Sequence, residues 1–276
     1  MAFAILAGMF ADARAHIGTH TLTPPVADSR LLSRYQLPAR PFAATHFNDG
    51  FLVVEGGNSR PEDDQRSILR FDMPTGNIPT GDGILRLQTE ALLGDFASVP
   101  VQLYKIKSSN AGWIEAPTAS NFEPPNSNGY ATWNNLAEND MLGLQTAWTG
   151  GPGLGAPGTG GYEGETAGSA TPLDSVLGGD LTVGTFVDFT VPMSVLNEWF
   201  SNPASNAGFM LRSPDANEMS SVFYHIQFRS GEFSTGTPQL IVPTIPEPGS
   251  LALVAIGVTY VAGRRCHRGR RWSVRE

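Results

Sequence analysis

Alternation of apolar and polar residues recurs along most of the chain and constrains its fold more than any other feature. Leu85 and Leu87, for example, or Val187, Phe189 and Val191, stand at every second position with polar neighbours between them. This period of two is typical of a β-strand with one buried face. Further runs of this kind surround Leu69, Val101, Phe209, Ile226 and Leu240. Turn-forming residues separate the runs, so the pattern predicts many antiparallel strands.

One segment has the period of an α-helix instead. Pro192 precedes it, Val195, Leu196 and Trp199 make one apolar face, and Asn202-Pro203 ends it. Many strands with one short helix predict an all-β fold, and specifically an antiparallel β-sandwich of jelly-roll type. Alternating strand and helix units are missing, which excludes dinucleotide-binding and TIM-barrel folds.

A glycine-rich stretch interrupts the strand pattern at residues 149–171. It has few large apolar side chains to bury and a high chain entropy to lose on ordering. We expect it to form an exposed loop or insertion.

The charge of the chain is unevenly distributed. Residues 16–245 carry 11 basic and 23 acidic side chains, which leaves a charge of −12 on this body. A body of that sign repels polyphosphate, so nucleic acid is excluded as a partner. Cys266 is the only cysteine and lies outside the body, which therefore has no disulfide.

The first 15 residues have the form of a secretory signal peptide. A short apolar run leads to Ala13-Arg14-Ala15, and we expect cleavage after Ala15 following export by the Sec machinery. The basic region that normally precedes such a run is missing, so we expect the true start to lie upstream of Met1. The alternative is an ordinary buried N-terminal segment.

The C-terminal segment, residues 246–276, has three parts in a fixed order. Pro246-Glu247-Pro248 comes first, an uncharged stretch from Gly249 to Gly263 follows, and an arginine-rich end begins at Arg264-Arg265. The uncharged stretch would span about 22 Å as a helix, against about 30 Å for a bilayer core. This arrangement resembles the PEP-CTERM sorting signal of exported bacterial proteins.

That resemblance implies transient anchoring in the cytoplasmic membrane by the apolar helix and recognition by an exosortase. The basic end would stay cytoplasmic, with the body beyond the membrane. The mature product would then be released or attached at the cell envelope. A plain tail anchor and a core helix are the alternatives.

Three sets of short segments follow one another along the body: residues 66–72 with 78–79 and 84–87, residues 101–106 with 113–115 and 132–135, and residues 199–200 with 206–212 and 238–240. Together they resemble the DNRLRE domain, an exported β-sandwich related to carbohydrate-binding modules. The matches span roughly residues 28–242. The glycine-rich stretch and residues 45–50 depart from the family pattern. The resemblance implies a non-catalytic, carbohydrate-binding role.

Aromatic side chains are the candidate sugar-binding residues, because sugar rings stack on them through apolar C–H faces. Trp148 and Tyr130 flank predicted loops and are the better candidates. Trp113 and Trp133 are also candidates, but in the resembled family their motifs help define the sandwich, which favours core positions for them.

The acidic residues allow two further uses. Calcium binding suits an acidic exported sandwich, and Asp49, Glu55, Asp63 and Asp64 are the candidate ligands. Paired carboxylates would instead serve a polysaccharide lyase or hydrolase, with Glu115 beside Trp113 as one candidate. His225 alternates with apolar residues on a predicted strand, which favours an imidazole on the sheet surface over a catalytic base. No certain cofactor and no nucleophilic elbow motif is indicated.

The sequence therefore predicts an exported, non-catalytic β-sandwich of the cell envelope or extracellular matrix that binds carbohydrate and is sorted by an exosortase. A structural or adhesive surface protein without a small ligand is the first alternative. A polysaccharide-acting enzyme is the second.

We predict that the mature protein ends near Pro246–Pro248, because the exosortase removes the apolar helix and the arginine-rich end. Intact-mass measurement of the protein from its native cells tests this prediction. A mass that still includes residues 249–276 would contradict it.

Overall fold

A computed structural model describes residues 18–32, 46–47, 50–57, 64–115, 131, 135–139, 144–218 and 222–246. The strands within these residues are Gly18–Leu22 (β1), Ala27–Leu32 (β2), His46–Phe47 (β3), Phe51–Gly56 (β4), Gln65–Arg70 (β5), Asn77–Pro79 (β6), Gly83–Gly94 (β7), Pro100–Ile106 (β8), Asn135–Asn139 (β9), Leu144–Ala147 (β10), Tyr162–Glu163 (β11), Asp174–Leu177 (β12), Phe186–Val191 (β13), Phe209–Arg212 (β14), Tyr224–Arg229 (β15) and Gln239–Pro246 (β16). The α-helices are Met193–Ser201 (α1) and Asp215–Glu218 (α2).

Fourteen of these strands form one antiparallel sheet, and β9 and β10 pair separately. The main order is β1-β16-β7-β15-β4-β5-β14-β8-β11, with β13 beside β7, β12 beside β8, β2 beside β5, β3 beside β2 and β6 beside β16. The all-β prediction is confirmed. The predicted helix is also confirmed, because α1 follows Pro192 and ends before Asn202.

The long strand β7 connects two portions of the sheet. Its first half pairs with β13 and β16, and its second half pairs with β15. Side chains from both portions meet in one core, which includes Leu85, Leu69, Phe189 and Phe209. Trp199 of α1 packs edge-on against the Phe209 ring, with ring centroids 4.8 Å apart, so the helix belongs to this core.

A second core lies on the opposite side of β5, β14 and β8. Ile68, Met210 and Tyr104 alternate with the residues of the first core and contact Leu154 and Tyr162 of the glycine-rich segment within one buried cluster. All four residues of β14 are buried. The expectation that a strand buries only one face is therefore wrong for β14, because the glycine-rich segment covers its second face.

The prediction that residues 149–171 form an exposed loop or insertion is wrong for part of the segment, although residues 165–168 are exposed. Leu154 and Tyr162 are fully buried in the second core. Gly160 and Gly161 let the segment fold tightly on itself, since a Cβ at either position would overlap a backbone carbonyl, of Leu154 and Thr149 respectively. Glycine therefore serves close packing here, which offsets the entropy cost of ordering the segment.

Buried charged side chains link the glycine-rich segment to the sheet. Glu218 of α2 accepts hydrogen bonds from Arg66 of β5 at 3.2 and 2.9 Å and from Arg212 of β14 at 2.7 Å. Arg66 also donates to the Gly153 and Gly155 carbonyls, and Arg212 donates to the Tyr162 hydroxyl. We call Arg66, Arg212 and Glu218 the buried ion cluster. It connects two strands, a helix and the glycine-rich segment.

The predicted signal peptide at residues 1–15 lies outside the described residues, as does most of the predicted sorting signal. Pro246 ends β16, whereas Glu247, Pro248, Arg264 and Arg265 fall beyond the described part of the chain. Within the described ranges, no helix combines the length and apolar character needed to cross a bilayer.

We predict that Glu218→Gln lowers the free energy of unfolding by about 3–5 kcal/mol, because it removes the buried carboxylate that the Arg66 and Arg212 guanidinium groups share. Chemical denaturation measures the change. Glu165→Gln, at an exposed carboxylate in the glycine-rich segment, is the matched control and should stay within about 0.5 kcal/mol. Equal effects of the two substitutions would contradict a stabilising role for the buried ion cluster.

Candidate functional site

Three carboxyl groups from distant parts of the sequence meet at one place. Asp28 lies on β2, Glu115 follows β8, and Glu232 lies in the turn between β15 and β16. One oxygen from each lies within 4.8 Å of the others. We call these residues the acidic trio. Asp28 is buried, Glu115 is half-buried and Glu232 is exposed, so the trio extends from the interior to the surface.

Local contacts hold two members of the trio in place. The backbone N–H of Gly231 donates to Asp28 Oδ2 at 2.7 Å, which fixes the turn that carries Glu232. Glu115 follows closely after Trp113, whose indole N–H donates to the Ala207 carbonyl at 2.7 Å. Trp113 is fully buried, and this burial fixes the position of the backbone two residues before Glu115.

Two members of the acidic trio, Asp28 and Glu115, retain protons at a pH where ordinary carboxyl groups have lost them. Burial, and then the charge of Glu232, raise the pKa of Asp28 to about 7, although the Gly231 N–H opposes the shift. Burial, the charge of Asp28 and a hydrogen bond with Glu232 raise the pKa of Glu115 to about 8. Like charges this close disfavour full ionisation, so Asp28 and Glu115 keep their protons to a higher pH than isolated carboxyl groups do.

The same oxygens have the chemistry of a calcium site. Two oxygens bound to one calcium ion at the usual distances lie at most about 5 Å apart, and the trio is within that limit. A cation and the protons of Asp28 and Glu115 would compete for these groups, because a divalent ion favours the ionised carboxylates.

The predicted calcium ligands do not form this group. Glu55 accepts a hydrogen bond from Gln65 Nε2 at 2.6 Å, and its carboxylate lies 2.6 Å from His225 Nδ1. Asp64 is buried. Neither belongs to the acidic trio, and Asp49 and Asp63 lie outside the described residues. His225 lies on β15 beside Glu55, and its side chain is 16% exposed.

Two of the tryptophans proposed to bind sugar, Trp113 and Trp148, are among the described residues, and both lie in the second core. Trp113 is 0% exposed, as favoured from the sequence, and Trp148 is 3% exposed. A sugar ring needs an open aromatic face, and neither indole presents one. Tyr130 and Trp133 fall outside the described residues.

Sequence reasoning singled out only one member of the acidic trio. Glu115 was a candidate because it lies near Trp113, whereas Asp28 and Glu232 stand in no motif. Their meeting depends on the pairing of β2 with β5 and on the Gly231 contact, and neither leaves a local pattern in the sequence.

No protein-family model matches this sequence, and no curated protein matches it significantly.

We predict that the protein loses stability as pH rises from about 4 to about 8. A carboxyl group whose pKa is raised on folding stabilises the folded state fully below its unfolded pKa, and this contribution disappears as pH rises through the folded pKa. For Asp28 and Glu115 that window ends near pH 7 and pH 8. We expect a fall in Tm on the order of 5 °C across it.

Thermal melting of Asp28→Asn tests whether Asp28 causes this pH dependence. The asparagine amide oxygen can still accept the hydrogen bond from Gly231, but the side chain no longer ionises. The variant should show a flatter pH profile, whereas Asp180→Asn, at an exposed aspartate, should match the wild type. If Asp28→Asn kept the wild-type dependence of Tm on pH, Asp28 would not be the cause of that dependence. If the trio binds calcium, the added ion should raise Tm more at pH 8 than at pH 6, because protons compete with it less at the higher pH.

Proposed function

We propose that this protein is an exported, non-catalytic β-sandwich of the cell envelope that binds carbohydrate. The observation that carries the proposal is the meeting, in the folded chain, of the three segments that resemble a carbohydrate-binding module. These segments are far apart in the sequence, and each supplies residues to one buried junction.

The junction is centred on Trp113. Arg70 of the first segment lies over the Trp113 ring, with its guanidinium carbon 5.0 Å from the ring centroid. Trp113, in the second segment, donates to the carbonyl of Ala207 in the third. Asn206 returns a hydrogen bond to the carbonyl of Phe71 at 2.7 Å. These contacts support the DNRLRE-type fold, because the matched residues recognise one another.

The finer architecture that we propose is a sandwich of jelly-roll type. The two sheet portions joined by β7 contribute side chains to one core, as facing layers of a sandwich do. A strand that passes from one layer to the other, as β7 does, is a common corner in such folds.

Export to the envelope is proposed from the two ends of the chain. The body is acidic, and the PEP-CTERM-like segment ends in a basic cluster that the positive-inside rule keeps in the cytoplasm. An exosortase and the Sec machinery are the partners that this arrangement implies.

A polysaccharide-acting enzyme is the second candidate, and the acidic trio favours it. A carboxyl group with its pKa raised to about 8, as in Glu115, retains the proton that a general acid must donate. The hydrogen bond between Glu115 and Glu232 favours proton sharing instead, so we place binding without catalysis first.

Affinity electrophoresis of the full chain against a panel of neutral and acidic polysaccharides tests the first candidate. We predict retardation by at least one polysaccharide with no shortening of its chains, measured as reducing ends or unsaturated ends. Glu115→Gln should leave the retardation unchanged.

Chain shortening that disappears in Glu115→Gln would establish the enzyme instead. Absence of retardation by every polysaccharide would overturn the binding proposal and favour a structural or adhesive surface protein. Recovery of the folded protein from the cytosol of native cells would overturn export.

A further inference from the structure

The outward side of the first sheet portion carries an ordered set of side chains that the proposed function does not use. Leu85, Phe189 and Leu240 point into the first core, so their strand neighbours face away from it. The outward residues on β7, β13 and β16 are Ile84, Arg86, Gln88, Phe186, Asp188, Thr190, Gln239 and Ile241. We call this surface the outer face.

Strand register aligns the polar members of the outer face in one row. Asp188 of β13 pairs with Arg86 of β7, and Arg86 pairs with Gln239 of β16. Paired residues on neighbouring antiparallel strands point to the same side of a sheet, so a carboxylate, a guanidinium and an amide stand side by side. Three planar hydrogen-bonding groups therefore cross three strands.

The charged pair in this row is fixed in geometry. Arg86 donates from Nε to Asp188 Oδ1 and from Nη2 to Asp188 Oδ2, both at 2.7 Å. This two-point contact orients both planes while leaving the side chains 36% and 42% exposed. An accessible pair of this kind retains free donors on one side and acceptor lone pairs on the other.

A half-exposed aromatic ring lies against the pair. Phe186 is 48% exposed, and the guanidinium carbon of Arg86 lies over one face of its ring, 5.9 Å from the centroid, so a sugar ring would stack on the opposite face. Gln88, directly opposite Phe186 in the register, is held by a hydrogen bond to the Gly184 carbonyl. Half-exposed Ile84 and Ile241 extend the apolar part of the surface along the strands.

We propose that the outer face binds a neutral polysaccharide, with a sugar ring stacked on Phe186 and its hydroxyl groups bonded to Arg86, Asp188 and Gln239. A pyranose has an apolar C–H face that fits an aromatic ring and hydroxyl groups that both donate and accept. This inference rests on the proposed carbohydrate-binding function and gives it a site that the buried tryptophans do not.

Charge selects the neutral class of ligand. The Arg86 and Asp188 charges cancel, so the outer face offers no net positive charge to a polyanion. The surrounding body carries −12, which repels acidic polysaccharides and also a second copy of this chain. A neutral glycan needs no positive charge on the protein and is not repelled by the negative body. Its hydroxyl groups match the alternating donors and acceptors of the row.

Phe186→Ala tests the site, with Phe223→Ala as the matched control. Phe223 is a 37% exposed phenylalanine that lies outside the outer face, beside Gly94. Affinity electrophoresis of the full chain would use hydroxyethylcellulose, xylan and galactomannan as neutral probes and alginate as the acidic probe. We expect retardation by a neutral probe, weakened about tenfold or more by Phe186→Ala and unchanged by Phe223→Ala.

Asp188→Asn provides an independent arm, because it keeps the ring but removes the charge that orients Arg86. We expect several-fold weaker binding from this variant, and thermal melting would verify that each variant is folded. Binding of a neutral probe that is equally strong in Phe186→Ala would overturn this site while leaving the proposed function intact.

Binding to alginate alone would overturn the neutral ligand class. Self-association of the wild type that Phe186→Ala abolishes, measured by sedimentation without added glycan, would assign the outer face to a contact between copies. Failure of the wild type to bind any polysaccharide, neutral or acidic, would overturn the proposed function together with this inference.

Discussion

The second core depends on the buried ion cluster. Arg66 and Arg212 come from two neighbouring strands and place their positive charges on the same carboxylate of Glu218. Removing three charges from water is costly, and it is offset only when every group finds partners. Here Asp215 supplies a second carboxylate to Arg212, so two positive charges face two negative ones. The remaining donors of Arg66 bind the backbone of the glycine-rich segment.

This arrangement explains how a segment with little apolar surface covers a sheet. Leu154 and Tyr162 are its fully buried large apolar side chains, and polar contacts add to its attachment. Asn110 bonds to Thr149 and Gly161, and Lys107 donates to the Gly158 carbonyl. Backbone carbonyls that would otherwise be buried without partners are thereby satisfied. Hydrogen bonding and close glycine contacts take the place of large apolar side chains.

The two surface features of the described chain differ in their electrostatics. The acidic trio brings like charges together in a partly buried place, and burial and these charges raise the pKa of Asp28 and of Glu115, so its charge depends on pH. The outer face pairs opposite charges and leaves them accessible beside the half-exposed ring of Phe186. The first arrangement suits proton or cation exchange, and the second suits hydrogen bonding to hydroxyl groups.

Local sequence determined the elements of this fold. The alternation around Leu85, Phe189 and Leu240 predicted strands with one face in a core, and the spacing of Val195, Leu196 and Trp199 predicted α1, because side-chain direction follows backbone period. Only the tertiary structure decided what covers the other face of β14, that residues 149–171 are packed, that Trp148 is buried, and that Asp28 meets Glu115 and Glu232. Those outcomes depend on contacts between residues far apart in the chain, and a local pattern records which way a side chain points but not what it meets there.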